Sequence, residues 1–404
     1  MSSCVWFRRR DAQVSPSGLH RNAPWSHQPR RGAVAGGGGW PTLGHSGPSR
    51  QRPRGPDGCA VFLCRRGSVS LRFLIRNARR ISDSADHVTE GDFFLHGGEL
   101  RAVETVGDEF DREIDAQGAY LGPAFVDLYA HVGEPGYEYK EDIETAGRAA
   151  AAGGFSDVCV SPLSEPVNDC RSITEQIIHR ADELGGPRFR PIASLTIGAA
   201  GQRLTEMFDL RDSGAVGVGD GEHSRSDAAL MRRALEYAQG VGLTVFEWST
   251  CSALAGKGVM HEGAVATRLG MKGIPVAAEE VRVGRAIALA RQTRASLHIG
   301  PLSSSVGVEL VRRAKADGVP VTASVASSHL LFSDADIAEE WDVNLHVNPP
   351  LRSSSDRHAL IAGIEDGTID AVSSGHRPQS LVEKEVPFPK AEPGMLGLEQ
   401  TFER

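Results

Sequence analysis

The chain has 404 residues, a quarter of them charged, a formal net charge of −8 and 40% hydrophobic residues. That apolar content excludes disorder of the whole chain, and the length suits one large α/β barrel plus smaller parts. Residues 1–66 carry eleven Arg, no Lys and only Asp11 and Asp57, a balance of +9, so the rest of the chain carries −17 and a nucleic-acid surface on it is excluded.

The six Cys, at positions 4, 59, 64, 159, 170 and 251, show neither CxxC spacing nor the density of a disulfide scaffold. No apolar run reaches the roughly 20 residues of a membrane span, and no compact secretory signal opens the chain. The expectation is a soluble, cytoplasmic protein with reduced thiols.

Residues 1–68 are rich in Arg, Gly, Pro and Ser, including Gly36 to Gly39, and hold too little patterned apolar surface to offset the entropy of ordering. They read as a disordered tail or a mis-assigned start. From Val69 the texture changes. A strand-like run and a hairpin closed at Gly97-Gly98 place a small β domain at 69–118.

From 119 onward apolar strands alternate with helical periods. The strands are expected at Ala124–Val126, Val158–Val160, Pro191–Leu195, Ala215–Val218, Leu243–Phe246, Ser296–Ile299, Val319–Val325 and Asp370–Ser373. Helical periods lie between them at 143–152, 172–184, 203–211, 226–240, 264–270, 305–317 and 334–340. Such alternation implies parallel strands with right-handed crossovers, and about eight units imply a TIM (β/α)8 barrel over 119–404 with function at the strand C-termini.

Several stretches carry a resemblance to a known family. They are Gly122-Pro-Ala-Phe-Val-Asp127, His131-Val-Gly-Glu-Pro-Gly136 and Tyr139-Lys-Glu-Asp142, then Met231-Arg-Arg-Ala-Leu-Glu-Tyr-Ala238 and Leu269-Gly-Met-Lys-Gly-Ile-Pro275. Val347-Asn-Pro-Pro-Leu-Arg352, Asp366-Gly-Thr-Ile-Asp370 and Gly394-Met-Leu-Gly-Leu-Glu399 follow in order. Over about 72–404 the chain resembles the dihydroorotases of the amidohydrolase superfamily. The resemblance implies an amidohydrolase-type barrel with a small β-sandwich domain, whose C-terminal part is expected to be missing because the chain stops at Arg404.

The positions that carry the family's chemistry depart from its pattern. The first-strand His-x-His and following Arg read Tyr129, His131 and Gly133; strand alternation points Tyr129 and His131 to one side, and a phenol with a pKa near 10 is a poor zinc ligand. The substrate-holding Asn after the second strand is Leu163, and Asp-Asp-Gly becomes Gly219-Asp220-Gly221, with Asp220 either a ligand or a turn residue. A fifth-strand His is Trp248, whose indole is a donor only, and a sixth-strand His is Pro301. The eighth-strand Asp, the family's general base, is Gly375, and the acidic member of a further motif is absent from Ser324-Val-Ala-Ser-Ser-His329.

Hydrolysis of a cyclic amide depends on a metal-bound hydroxide and a base, and neither is assembled from these residues. His131 and Asp220 are the residual metal candidates; Asn348 and Arg352 are the substrate-binding candidates. Tyr129, Leu163, Trp248 and Pro301 together read as a polar cavity refilled with bulk, with His298, His329 and His376 as hydrogen-bonding histidines. Glu247 is expected to point away from Trp248's side of the strand.

The resemblance therefore implies a catalytically silent dihydroorotase homologue of pyrimidine biosynthesis. It would need no cofactor and would be retained for assembly with the aspartate carbamoyltransferase catalytic subunit, with homo-oligomers possible. The alternative is an active or divergent zinc-dependent cyclic amidohydrolase. A third reading is a sensor that binds pyrimidine-like molecules through Arg352 and Asn348.

Overall fold

The computed structural model describes residues 71–81, 88–97, 99–103, 109–223 and 227–401, together with the backbone of two short strands, Val5–Arg8 and Cys59–Phe62. These two strands pair antiparallel with each other, and the first also pairs with Tyr120–Pro123. The rest of 1–70 lies outside the described residues, as does the expectation that this leader is disordered. The chain divides into two compact units, one of 1–124 with 184–186, the other of 125–183 with 187–404.

In the first unit Phe73–Ile81 pairs antiparallel with Val88–His96, which turns at Gly97 (φ +58°) and pairs with Glu99–Ala102. Arg112–Asp115 and Tyr120–Pro123 add parallel to Phe73–Ile81. One face of this sheet buries Ile75, Phe93, Leu95 and Leu121. Tyr120–Pro123, expected at the start of the barrel, is thus the last strand of the small sheet.

The second unit is built on eight parallel strands: Phe125–Ala130, Phe155–Val160, Arg188–Ala193, Gly217–Val218, Thr244–Glu247, Leu297–Leu302, Val321–Ala326 and Ala371–Ser373. Each pairs with its neighbour in chain order, and they are called the first to eighth barrel strands below. The ring closes where the His131 N–H donates to the His376 carbonyl at 2.8 Å. Asp127 adds a side-chain clasp at this seam, accepting from Ser374 N at 2.8 Å and from Ser374 Oγ at 2.5 Å. All eight strands fall where the apolar runs place them, because a strand covered on both faces reads as a continuous apolar run; the second barrel strand is buried at every position.

The connecting helices start where short polar residues can accept orphan backbone N–H groups. Asp142 caps Ile143–Ala152 with a reciprocal bond to Thr145, Asp227 caps Ala228–Val241, Ser304 caps Ser305–Ala316 and Ser353 caps Ser354–Glu365. Two assignments are corrected. The main helix between the seventh and eighth barrel strands is Ser354–Glu365, which the sequence did not mark, whereas the expected 334–340 is the short helix Asp334–Glu340. The helix between the fifth and sixth barrel strands is Ala277–Thr293, whereas the expected 264–270 is a short helix, Ala264–Leu269, beside a two-stranded pair, Met260–His261 with Gly273–Ile274. The long helix escapes periodicity because its buried face is mainly Ala278, Ala286 and Ala290 and also buries Glu279 and Arg282, which flattens the apolar stripe. The core joins this helix to Met231, Leu235, Val245, Ile299, Val311 and Val325.

No helix among the described residues is long and apolar enough to cross a membrane. Cys159, in the second barrel strand, is buried, and burial pushes its thiol up to about 12, whereas Cys170 is exposed. A thiolate is the reactive form. Alkylation of the folded chain followed by peptide mass mapping is therefore expected to label Cys170 and to leave Cys159 unmodified until denaturant is added.

Candidate functional site

Strand order alone carries Tyr129, Leu163, Gly221 and Trp248, from four separate segments, to the C-terminal end of the barrel. The Tyr129 hydroxyl shares a 3.0 Å hydrogen bond with Ser161 Oγ, and its ring lies 5.4 Å from that of Trp248 and, edge-on, 5.4 Å from that of His131. A methyl group at Gly221 would stand 2.7 Å from the Tyr129 hydroxyl and 3.1 Å from Leu163 Cδ1. Around Tyr129, Trp248, Gly221, Gly300, His298 and Ser324 the free space amounts to about 10 Å³, room for about one water. Burial pushes the phenol of Tyr129 well above its ordinary pKa, so it is a neutral hydrogen-bonding group.

His131 shares the side of Tyr129, as alternation requires. Its Nε2 is buried and has no partner among the described residues. Burial, and then the nearby Arg377, hold its pKa well below 6.5, so the imidazole is neutral. Asp220, the other metal candidate, is committed elsewhere. Its Oδ1 accepts from Ser194 Oγ at 2.8 Å and Thr196 N at 2.8 Å, and its Oδ2 accepts from Thr196 Oγ1 at 2.7 Å, which ties the fourth barrel strand to the end of the third.

The substrate-binding candidates separate. Arg352 is 2% exposed and pinned, its Nε donating to Ser303 Oγ at 2.9 Å and its Nη1 to His261 Nδ1 at 3.2 Å and the Ile274 carbonyl at 3.3 Å. Ser303 in turn bonds the buried carboxylate of Glu279, which Ser304 N also reaches at 2.9 Å. Arg352 is therefore part of an interior polar network, with its Nη2 buried and without a partner among the described residues. Asn348 does lie at the mouth, with Nδ2 3.5 Å from Glu222 Oε2 and a buried Oδ1 that has no partner among the described residues.

The two glycines at family positions are hemmed in, Gly133 by backbone and Gly375 by the Ala326 side chain. Gly375 has φ +63°, and a Cβ there would stand 2.8 Å from Ala326 Cβ; at Gly133 a Cβ would stand 2.3 Å from the Tyr137 carbonyl oxygen and 2.4 Å from that of Glu141. The Pro301 carbonyl accepts from Ser249 Oγ at 2.5 Å. His298 bonds Thr322 Oγ1 at 2.9 Å and Ser324 Oγ at 3.0 Å, and His329 bonds the Pro349 carbonyl at 3.0 Å; burial lowers both rings to about 4. His376 receives Gly397 N at 3.1 Å on Nδ1, so its proton sits on Nε2, which donates to Glu141 at 2.7 Å. Glu247 turns outward as alternation requires and pairs with Arg282 at 2.5 Å and Arg285 at 3.1 Å.

Sequence reasoning did not single out Glu222 and Arg377. They form a two-pronged ion pair, Nη2 to Oε1 being 2.5 Å, between the ends of the fourth and eighth barrel strands. The available signal was a charged residue directly after each of two degenerate motifs, Gly219-Asp220-Gly221 and Gly375-His376.

Sequence comparison places this geometry in a lineage. The chain is 46% identical to a dihydroorotase of Anaeromyxobacter dehalogenans (strain 2CP-C) over 72% of its own length and 67% of that protein. It is 40% identical to a dihydroorotase of Pelobacter propionicus over 82% of its length and 78% of that protein. The chain belongs to the dihydroorotase family. A dihydro-orotase-like family description matches residues 118–306. Among solved structures, an L-hydantoinase (dihydropyrimidinase) from Arthrobacter aurescens superposes with a TM-score of 0.69 at 22% identity, covering 81% of this chain and 75% of that one. A D-hydantoinase from Thermus sp. follows with 0.65 at 20% identity and the same coverage, and both share the fold.

Zinc is the metal this family generally uses, and the residues do not fit it. Of the positions expected to ligate, only His131 and Asp220 carry ordinary zinc donors, since the Tyr129 phenol is held neutral by burial, and the Asp220 carboxylate already accepts three hydrogen bonds from Ser194 and Thr196. Among the described residues no three His, Cys, Asp or Glu side chains are grouped closely enough to hold a metal ion. A structural or catalytic zinc needs three or four such ligands.

Proposed function

We propose that this dihydroorotase-family protein of the pyrimidine pathway is catalytically silent and acts as a scaffold. The observation that carries this reading is that Tyr129 and Trp248, at two of the family's ligand positions, pack on each other at 5.4 Å and leave beside them a cavity of about 10 Å³, room for about one water. Filling that space with bulk avoids burying ligands without a partner, each of which would cost more than the packing it replaces. The reading is further supported by the absence, among the described residues, of a ligand set for a zinc-bound hydroxide and by the engagement of the carboxylate at the barrel mouth, Glu222, with Arg377, since cyclic-amide hydrolysis at neutral pH draws on both a hydroxide and a free base.

A second reading, an active hydrolase interconverting carbamoyl aspartate and dihydroorotate with zinc, is favoured by the relatives, which are named dihydroorotase. At the level of names it fits at least as well as silence. The scaffold role, with the aspartate carbamoyltransferase catalytic subunit as partner, rests on the family resemblance alone.

Metal analysis of the purified full chain beside an assay in both directions separates the two. Sub-stoichiometric zinc and no turnover above a chain-free control are expected. One tightly held zinc per chain with turnover would install the second reading. Size-exclusion mass of a mixture with the carbamoyltransferase subunit reports the partner, and two unshifted peaks would remove it.

A further inference from the structure

In a closed ring of eight strands the fourth and the eighth stand on opposite sides. Glu222 follows the fourth and Arg377 follows the eighth, so their ion pair has to cross the open end of the barrel. Both side chains are largely shielded, at 11% and 18% exposure. The pair is fork-to-fork, the strongest geometry a guanidinium and a carboxylate can adopt, and Asn348 Nδ2 reaches the same carboxylate oxygen of Glu222 at 3.5 Å.

What lies beneath is fixed by contact. Gly221, next to Glu222, sits against the Tyr129 hydroxyl, and Tyr129 packs on Trp248, which is 6% exposed with a buried Nε1. The charges of both Glu222 and Arg377 are felt at Tyr129. Nothing in the metal chemistry of the lineage calls for a salt bridge here, and neither residue stands at a ligand or base position.

We infer that Glu222 and Arg377 form a latch across the barrel mouth, which seals the Tyr129–Trp248 chamber from solvent and must part before any small molecule can enter. The latch is a property of these two side chains. It holds whether the chamber beneath is silent or active, so its test is independent of zinc and turnover.

The full chain carrying 5-fluorotryptophan gives one 19F signal per indole, and Trp248 is assigned by its disappearance in Trp248→Phe. In the unaltered protein the Trp248 signal is expected to show no shift between H2O and D2O. Glu222→Gln and Arg377→Met should each give it the isotope shift of a solvated indole, and the exchanged pair Glu222→Arg with Arg377→Glu should abolish that shift again. A Trp248 signal that is solvated from the outset, or still sealed in both single variants, would overturn the latch. Should a single variant fail to fold, the exchanged pair decides: folded and sealed upholds the latch, unfolded or solvated refutes it.

Discussion

Asp127→Ala is expected to lower the thermal midpoint by roughly 5–10 °C, from a loss of about 2–4 kcal/mol. Asp127 is fully buried in the first barrel strand, and its carboxylate holds both the Ser374 N–H and the Ser374 hydroxyl at the seam where the barrel closes. Alanine leaves two buried donors without an acceptor, each costing about 1–3 kcal/mol. Asp127→Asn keeps an acceptor for the amide and can donate to the hydroxyl, so it should cost less than about 1 kcal/mol. Equal midpoints for the alanine and asparagine variants would show that the clasp contributes nothing.

The same residue sets a pH dependence with a definite sign. Burial raises the Asp127 pKa to about 6, against hydrogen bonds from Ser374 that lower it. In the unfolded chain the group titrates near 3.9. Between these values the folded state binds more protons than the unfolded state, so this group's contribution to stability falls as pH rises from 4 to 6. The unaltered chain should therefore gain on Asp127→Asn as pH is lowered across that window, by up to about 3 kcal/mol. Urea midpoints of the two proteins at pH 7, 6, 5 and 4 measure the difference, and a gap that is constant across them would contradict the buried, raised carboxyl.

Much of the barrel was legible because its strands are covered on both faces. Runs such as Val158–Val160, inside the fully buried strand Phe155–Val160, have no solvent side, so composition alone marks them. Ala277–Thr293 was not legible, since Ala-rich packing and the buried Glu279 and Arg282 leave little periodic contrast. At the site, the meeting of Tyr129, Leu163 and Trp248 followed from strand order once the motifs were placed. The interior capture of Arg352 and the crossing of Glu222 to Arg377 did not. Both depend on which of several equally long polar side chains finds which partner, and spacing along the chain does not encode that choice. Nor does a glycine in a sequence reveal whether backbone has closed on it.

That closure makes the second large prediction. Gly133 stands where the family has a carboxylate-binding Arg, and reversion would seem a matter of replacing one side chain. In the folded chain, however, 133–141 is wound into a tight turn, with Tyr137 N donating to the Gly133 carbonyl at 2.6 Å and Lys140 N to the Tyr137 carbonyl at 2.9 Å. A Cβ at 133 would stand 2.3 Å and 2.4 Å from the Tyr137 and Glu141 carbonyl oxygens, both of which belong to backbone and cannot swing aside. Relieving the contact has to move Glu141, which holds buried His376, or Glu134, which holds Ile143 N at the start of the first helix at 2.9 Å. Gly133→Ala alone is thus expected to cost more than about 4 kcal/mol, the range of severe single substitutions. Gly133→Arg is expected to fail to fold. The fivefold reversion Tyr129→His, Gly133→Arg, Trp248→His, Pro301→His and Gly375→Asp should then recover neither zinc nor turnover. The fourfold set without Gly133→Arg should be the more stable of the two, although a Cβ at Gly375 still meets Ala326 at 2.8 Å. Urea midpoints of Gly133→Ala and the unaltered chain decide it: if they coincide, the turn yields without cost and the site could be reopened by side-chain reversion.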